Sequence, residues 1–316
     1  MTRLSRTLLG YVFVAGAALG WATIGIFYTL AVEREGLHPL TVVAYRTLLA
    51  GLILGIVLLL RRGRAFRVRR EHWPLFLAYV GVGIVVFYAL YAYAIILLGV
   101  AVAVVLLYTA PAWVALIAGL FLHEPITRRV VVALGLTWVG VVFVARAYDV
   151  SQLQANGVAL LVGLATGLLY GLYSIFQKVI VRHYRPWTVQ WYGLFWGGLV
   201  LALIQPERRL FSPLEHVDVY VWFLALALIS TLIPGLLYTT GVQWVPVSVA
   251  SIIATLEPVA ATFFGYVFLG ERLVPAQWVG GACILLAVWL LRPGRASERE
   301  GDGARHAAPR AHQVDG

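Results

Sequence analysis

Long apolar runs, separated by short polar segments, divide the chain into ten stretches, most of them close to the ~20 residues that a helix needs to cross a bilayer. Nearly all charged side chains fall between these runs. The pattern therefore predicts an all-α membrane protein with ten transmembrane helices. The predicted spans cover residues 8–31, 39–60, 73–97, 101–122, 128–145, 157–180, 188–204, 219–241, 246–269 and 275–291.

Composition supports this interpretation and excludes a water-soluble globule. Hydrophobic residues make up 61% of the chain, charged residues only 12%, and the mean hydropathy is +0.88. A soluble domain would carry charge on about a quarter of its residues.

The second notable pattern is an internal repeat. The segment from Ala250 to Leu273 resembles the segment from Ala103 to Ile126, at an offset of 147 residues. Searching outward at the same offset finds further matches in most spans. The matching pairs include Pro111 with Pro258, Glu124 with Glu271, Gly16 with Gly163, Pro39 with Pro186, Tyr45 with Tyr192, Gly51 with Gly198 and Tyr91 with Tyr238. The repeat predicts two units, residues 1–147 and 148–291, followed by a disordered cytoplasmic tail at 292–316.

The number of spans in each unit has a consequence for function. Five spans is an odd number, so the second unit must enter the membrane in the opposite orientation to the first. Inverted repeats of this kind are typical of transporters, in which the substrate site lies near the bilayer midplane between the repeats. A transporter is therefore the leading hypothesis.

Positive charge predicts the orientation. With the N-terminus inside, 18 of the 24 Lys and Arg residues are cytoplasmic and 5 are external, which places both termini inside. Residues 61–70 hold six of these arginines and are interpreted as a topology signal near anionic headgroups, not as a nucleic-acid site. The first span could instead be a secretory signal, but its match to the internal span at 157–180 favours a retained helix.

These features together resemble the ten-helix EamA branch of the drug/metabolite transporter superfamily. The resemblance rests on the two segments that run from proline to glutamate and end in LHE and LGE, on Pro39 and Pro186, and on Arg46. It implies a 5+5 inverted bundle with a central cavity that exports amino acids, with aromatic amino acids the best single guess, or related metabolites. One departure is His123, which stands where the second copy has Gly270 and loosens the motif of the first half.

Two ionisable side chains are predicted to lie at membrane depth, Arg46 and Glu257. A charge there costs on the order of 2.5 to 3.5 kcal/mol, which favours a functional role. We expect the two to pair and to contact substrate. The alternatives are that Arg46 extends toward the outer interface and that Glu257 packs at a helix break. A paired Glu257 would be a poor proton carrier, so coupled and uncoupled transport both remain open.

Aromatic residues within the spans are candidates to line a cavity and stack against an organic substrate. Those assigned to the substrate site are Trp21, Tyr88, Tyr91, Tyr108 and Tyr173. Pro111 and Pro258 are assigned to gating, because proline interrupts a helix and matched interruptions in both repeats mark transporter sites. A simple packing kink is the alternative.

Other classes of protein fit poorly. Glu124 follows His123, but Thr127 occupies the position of the second histidine of a zinc-protease motif, and the sequence contains no esterase or ATPase motif. We therefore expect no enzyme activity, no cofactor and no metal. A scaffold or sensor would need a sizeable soluble domain.

The expected partners are a small-molecule substrate and the bilayer, and the small-residue spacings favour packing within a monomer while leaving a dimer possible.

Overall fold

A computed structural model describes residues 3–28, 37–61, 66–148, 157–211, 213 and 219–292. Every regular element within these ranges is helical. The predicted tail at 292–316 lies outside the described residues except for Arg292. The all-helical class expected from the apolar runs is confirmed.

The described part of the first half contains seven α-helices. They are α1 (Arg3–Ala22), α2 (Ile24–Tyr28), α3 (Pro39–Leu60), α4 (Trp73–Val80), α5 (Phe87–Leu107), α6 (Ala110–Phe121) and α7 (Arg128–Val144). A 3₁₀ turn at Arg70–His72 precedes α4, and a π-helical segment at Gly81–Val86 joins α4 to α5.

Nine α-helices lie in the described ranges of the second half. They are α8 (Gly157–Ile180), α9 (Pro186–Trp191), α10 (Gly197–Leu203), α11 (Glu207–Leu210), α12 (Val219–Ala227), α13 (Ile233–Gly241), α14 (Val247–Ala254), α15 (Leu256–Leu269) and α16 (Pro275–Leu290). Two π-helical segments, Tyr192–Trp196 and Leu228–Leu232, join α9 to α10 and α12 to α13.

Several of these helical stretches are long and apolar enough to cross a membrane. Six meet this description, and α6 and α16 are shorter apolar helices. The six stretches are Leu4–Tyr28, Pro39–Leu60, Arg70–Leu107, Gly157–Ile180, Val219–Gly241 and Val247–Leu269. The chain is thus a multi-span membrane protein.

Helix boundaries recur at the spacing of the sequence repeat. α3 and α9 both begin at a proline, Pro39 and Pro186, 147 residues apart. α5 and α14 end at Leu107 and Ala254, again 147 residues apart. The π-helical segments at Gly81–Val86 and Leu228–Leu232 also correspond. Proline is tolerated in the first turn of a helix, because an N–H group there would have no partner within the helix. Its position therefore marks the start of each helix.

Matched glycines hold α3 against the α9–α10 segment. A Cβ built on Gly51 would lie 2.5 Å from the Phe195 nitrogen, and one built on Gly198 would lie 2.4 Å from the Leu48 nitrogen. These contacts are reciprocal, because Gly198 and Phe195 each lie 147 residues after Gly51 and Leu48. The absence of side chains lets the two backbones approach closely.

We expect Gly198→Ala to lower the Tm of the detergent-solubilised protein. The added methyl group would meet backbone, which cannot move aside as a side chain can, at a cost of roughly 1–3 kcal/mol. Gly135→Ala in α7 is the matched control, since nothing lies within 4 Å of its Cβ position. Equal Tm values for the two variants would contradict the close-approach explanation.

Candidate functional site

Glu257 lies at a break between two helices. α14 ends at Ala254 and α15 begins at Leu256, so Glu257 occupies the first turn of α15. The positive end of a helix dipole there stabilises a carboxylate. The side chain is half-buried and keeps some accessible surface.

The prolines of the repeat lie in first turns and do not bend continuous helices. Pro111 is the second residue of α6 and Pro258 the third residue of α15. In each half the preceding helix has already ended before the proline, so the helix interruptions expected at the two prolines are present. Threonines satisfy nearby carbonyls instead: Thr109 donates to Leu106 at 2.7 Å and Thr255 to Ile252 at 2.6 Å.

Tyrosines surround the Glu257 carboxylate. Tyr108, which directly follows α5, lies within range of the charge of this carboxylate, as do Tyr91 and Tyr170. Tyr108 is itself buried, with 6% of its surface exposed. The Glu257 carboxylate is thus placed among hydroxyl groups from α5 and α8.

Arg46 is the buried cation of the site. It lies in the middle of α3 with 6% of its surface exposed, and its Nη1 donates to the Thr231 hydroxyl at 2.8 Å. Thr231 in turn donates to the Leu226 carbonyl at 2.8 Å, within the π-helical segment that joins α12 to α13. The guanidinium carbon also lies 5.3 Å from the centre of the Tyr88 ring, at a distance typical of a cation–π contact.

Arg46 and Glu257 interact by charge without forming a direct pair. The charge of Arg46 reaches the Glu257 carboxylate, yet the salt bridge found within the described ranges joins Arg69 and Glu71, on the surface. The expected contact between Arg46 and Glu257 is thus not made, because the guanidinium is held by Thr231 and Tyr88. Each charge retains hydrogen-bonding capacity for a third group.

Stacked rings connect these residues along one side of the site. Tyr79 stacks on Tyr173 at 5.9 Å, and Tyr173 on Tyr170 at 6.1 Å. The stack continues to Phe87 at 5.4 Å from Tyr170, and from Phe87 to Tyr91 at 6.1 Å. We call these five residues the aromatic column. It presents ring faces and hydroxyl groups beside the two charges.

Trp21 in α1 packs against Tyr238 in α13. Its ring lies 5.2 Å from that of Tyr238, whose hydroxyl donates to Ser174 at 2.9 Å. Tyr238 and Ser174 also line a small cavity of about 10 Å³, which is room for about one water molecule. The other residues that line this cavity are Tyr108, Ala110, Pro111, Val114, Tyr170, Ser251 and Ala254.

The predicted site residues fall into contiguous groups. Arg46 contacts Tyr88; Glu257 lies with Tyr108 and Tyr91; Tyr173 belongs to the aromatic column; Trp21 joins through Tyr238. Sequence reasoning left Thr231, Phe87 and Tyr170 out of the site. Thr231 follows Ser230 in an apolar run, which is a weak signal without knowledge of the neighbouring helix.

A buried network of amide side chains supports the aromatic column. Gln190 donates to the Gly235 carbonyl at 2.9 Å and also to Thr239, while Thr239 donates to Gln177 at 2.7 Å. Gln177 donates to the Tyr79 hydroxyl at 3.3 Å and so reaches the aromatic column. Satisfied polar networks in an apolar interior fix helix positions. Two glutamines deep within apolar spans are the signal that sequence analysis did not use.

Metal or cofactor ligands do not gather in the part of the chain that the structure describes. No group of three or more His, Cys, Asp and Glu side chains lies close enough there to hold a metal ion. The arrangement of one cation, one carboxylate and several aromatic hydroxyl groups is suited to binding a polar organic molecule.

Comparisons with known proteins agree with this architecture. The EamA-like transporter family matches residues 8–146 and again residues 157–292. An uncharacterized transporter of Archaeoglobus fulgidus is 31% identical over 60% of this chain and 66% of its own length. The uncharacterized inner membrane transporter YicL of Salmonella typhimurium is 22% identical over 91% of this chain and 96% of its own.

A solved structure shares the fold. One crystal structure superposes with a TM-score of 0.77 at 17% identity, covering 95% of this chain and 99% of that one. At that identity the likeness concerns the fold alone. The two family matches together span nearly all of the helical region, and the chain belongs to the EamA-like transporter family.

Proposed function

We propose that this protein is a secondary-active transporter that exports amino acids, aromatic ones among them, or related small metabolites by alternating access. The carrying observation is that Arg46 and Glu257 lie within range of each other's charge but do not form a direct pair. In the proposed complex a zwitterion lies between them, with its carboxylate on Arg46 and its ammonium on Glu257.

The surroundings support this orientation of a substrate. Hydrogen bonds that involve an ionised group are worth about 1.5–3 kcal/mol, so two opposite charges select strongly for a zwitterion. The aromatic column and Tyr88 offer ring faces to an apolar or aromatic side chain. Trp21 and Tyr108 complete the proposed contacts.

Alternating access is proposed from the repeat. Ten spans arranged as a 5+5 inverted repeat, with units at residues 1–147 and 148–291, account for the matched helix boundaries and the reciprocal glycine contacts. In this arrangement the halves rock about a site at the midplane. Pro111 and Pro258 lie in the first turns of helices beside that site and are proposed to act in gating. Positive charge favours cytoplasmic termini in an inner membrane.

An uncoupled facilitator or exchanger of another metabolite class is the alternative. It is favoured by the scarcity of membrane-depth carboxylates, since Glu257 alone would have to carry a coupling proton. We expect purified protein in proteoliposomes to take up labelled amino acids saturably. Uptake that is the same with and without an imposed pH gradient would identify the facilitator, and no uptake by folded protein would reject amino acids as substrates.

We expect Tyr108→Phe to weaken substrate binding by about 3- to 10-fold, because it removes the hydroxyl group that we propose donates a hydrogen bond to Glu257, worth about 0.5–1.5 kcal/mol. The ring remains, so the stability should change little. The measurement is the concentration for half-maximal uptake. Tyr266→Phe on the exposed face of α15 is the control, and equal effects of the two substitutions would exclude Tyr108 from the site.

A further inference from the structure

Glu124 and Glu271 follow similar turns at the ends of α6 and α15. His123 and Gly270 both adopt left-handed backbone, at φ 57° and φ 71°. In each turn the glutamate N–H donates to the carbonyl six residues earlier, Ala118 at 3.1 Å and Gly265 at 3.2 Å. A left-handed residue in this place is a common way for a helix to end. His123 departs from the glycine of the second copy in sequence but takes the same backbone conformation, which histidine can adopt.

In the first half, the carboxylate reaches across to the second half. Glu124 accepts from the Val247 and Ser248 nitrogens at 2.8 and 3.1 Å and from the Ser248 hydroxyl at 2.7 Å. It thus caps the N-terminus of α14, where a negative charge is stabilised. Lys178 holds the preceding loop by donating to the Val242 and Val245 carbonyls at 2.6 and 2.7 Å.

In the second half, the equivalent contact is not made. Glu271 is exposed, and its carboxylate folds back toward Gly265 on its own helix. Within the described ranges no hydrogen bond or ion pair joins it to the first half. The equivalent target is the helix that restarts at Val100 after the break at Gly99, where φ is 73°, and Val100 is 62% exposed.

We propose that Glu124 and Glu271 are two latches that close in turn, each capping the opposite half at its own end of the bundle. Both turns share a left-handed residue and a hydrogen bond from the glutamate nitrogen, so we attribute the difference to how the halves are placed. The state described here is closed at the Glu124 end and open at the Glu271 end. The proposal rests on the alternating access proposed above and adds the residues that stabilise each closed state.

The latches differ in strength. Glu124 has three donors, including the Ser248 hydroxyl, whereas the residue equivalent to Ser248 is Ala101, which leaves Glu271 two backbone donors. Lys178 also has no equivalent, since the matching residue in the sequence is Ala31. Charge-assisted bonds are the stronger class, so the Glu124 latch is favoured at rest. This explains why the state seen has that end closed.

A cysteine in α14 would report on the Glu124 end. Ser251 is 7% exposed and lies one turn beyond the latch, so Ser251→Cys in a Cys283→Ala background is shielded while the latch is closed. Membranes of either orientation are treated with a membrane-impermeant thiol reagent. We expect Glu124→Gln and, separately, Lys178→Met to raise the labelling rate from that end about 10-fold. Exposed Glu207→Gln is the control.

The opposite latch provides a second test that does not depend on weakening the first. Ala101→Ser supplies the missing hydroxyl and should raise labelling of the same cysteine, because it stabilises the state closed at the Glu271 end. Adding Glu271→Gln should abolish that rise. The proposal is overturned if Glu124→Gln and Lys178→Met are both labelled at the rate of the parent. It is also overturned if the faster labelling in Ala101→Ser persists after Glu271→Gln is added. Labelling requires no substrate, so it tests the latches even if amino acids are not the cargo.

Discussion

Glu257→Gln is expected to reduce saturable uptake of a zwitterionic substrate by about 100-fold, through loss of about 3 kcal/mol of binding to its ammonium group. Glutamine has the same shape and still accepts a hydrogen bond from Tyr108. It lacks the negative charge that compensates for transferring an ammonium group from water into a low-dielectric site. The measurement is concentration-dependent uptake into proteoliposomes.

Substrate variants separate this role from a structural one. An N-acetylated substrate has no ammonium group, so it should be a poor substrate for the parent and should lose no further uptake in Glu257→Gln. Non-additivity of this kind identifies a direct contact. Glu207→Gln, in the exposed α11, should leave uptake unchanged.

Two outcomes would contradict the ammonium contact. If Glu257→Gln lowers uptake of both substrates by the same factor, the residue acts through folding or gating. If uptake is retained but no longer responds to a pH gradient, Glu257 carries the coupling proton. The second result would favour the proton role over substrate binding.

The lengths of several helices follow directly from the sequence. The spans predicted at 39–60, 157–180 and 219–241 coincide with α3, with α8 and with the stretch from α12 to α13. Proline opens α3 and polar segments flank all three, so apolar length and local chemistry determine these boundaries. The internal repeat likewise predicted matched breaks.

Other features depend on how helices are rotated and packed. A π-helical segment retains the apolar composition of its span, so Leu228–Leu232 gives no sequence signal even though it presents Thr231 to Arg46. The unusual burial of Arg46 was predictable from a lone charge in an apolar run. Its partner was not, because the contact requires knowledge of which face of α3 meets the second half.

The turn at His123 shows the same limit at a smaller scale. In a sequence, a glycine is the usual signal that the backbone adopts a left-handed conformation, as it does at Gly270. His123 adopts the same conformation, in a turn that also contains a hydrogen bond from the Glu124 nitrogen to the Ala118 carbonyl. The repeat offset, applied to conformation and not only to residue identity, would have predicted it.

Arg46→Gln is expected to abolish recognition of the substrate carboxylate and to reduce uptake by about 100-fold. In the parent, Nη1 of Arg46 donates to Thr231. This hydrogen bond and the contact with the Tyr88 ring orient the remaining guanidinium donors. Arg46→Lys keeps the charge but loses the planar fork of donors, so an intermediate loss of about 10-fold is expected. Exposed Arg129→Gln is the matched control.

The decisive comparison again pairs a protein change with a substrate change. A substrate whose carboxylate is replaced by an amide should be taken up poorly by the parent and no worse by Arg46→Gln. Thr231→Val should weaken uptake less than Arg46→Gln does, since it removes only the group that positions the guanidinium. If the amide substrate loses as much as the carboxylate in Arg46→Gln, Arg46 stabilises the bundle and does not contact substrate, and a zwitterion between Arg46 and Glu257 is excluded.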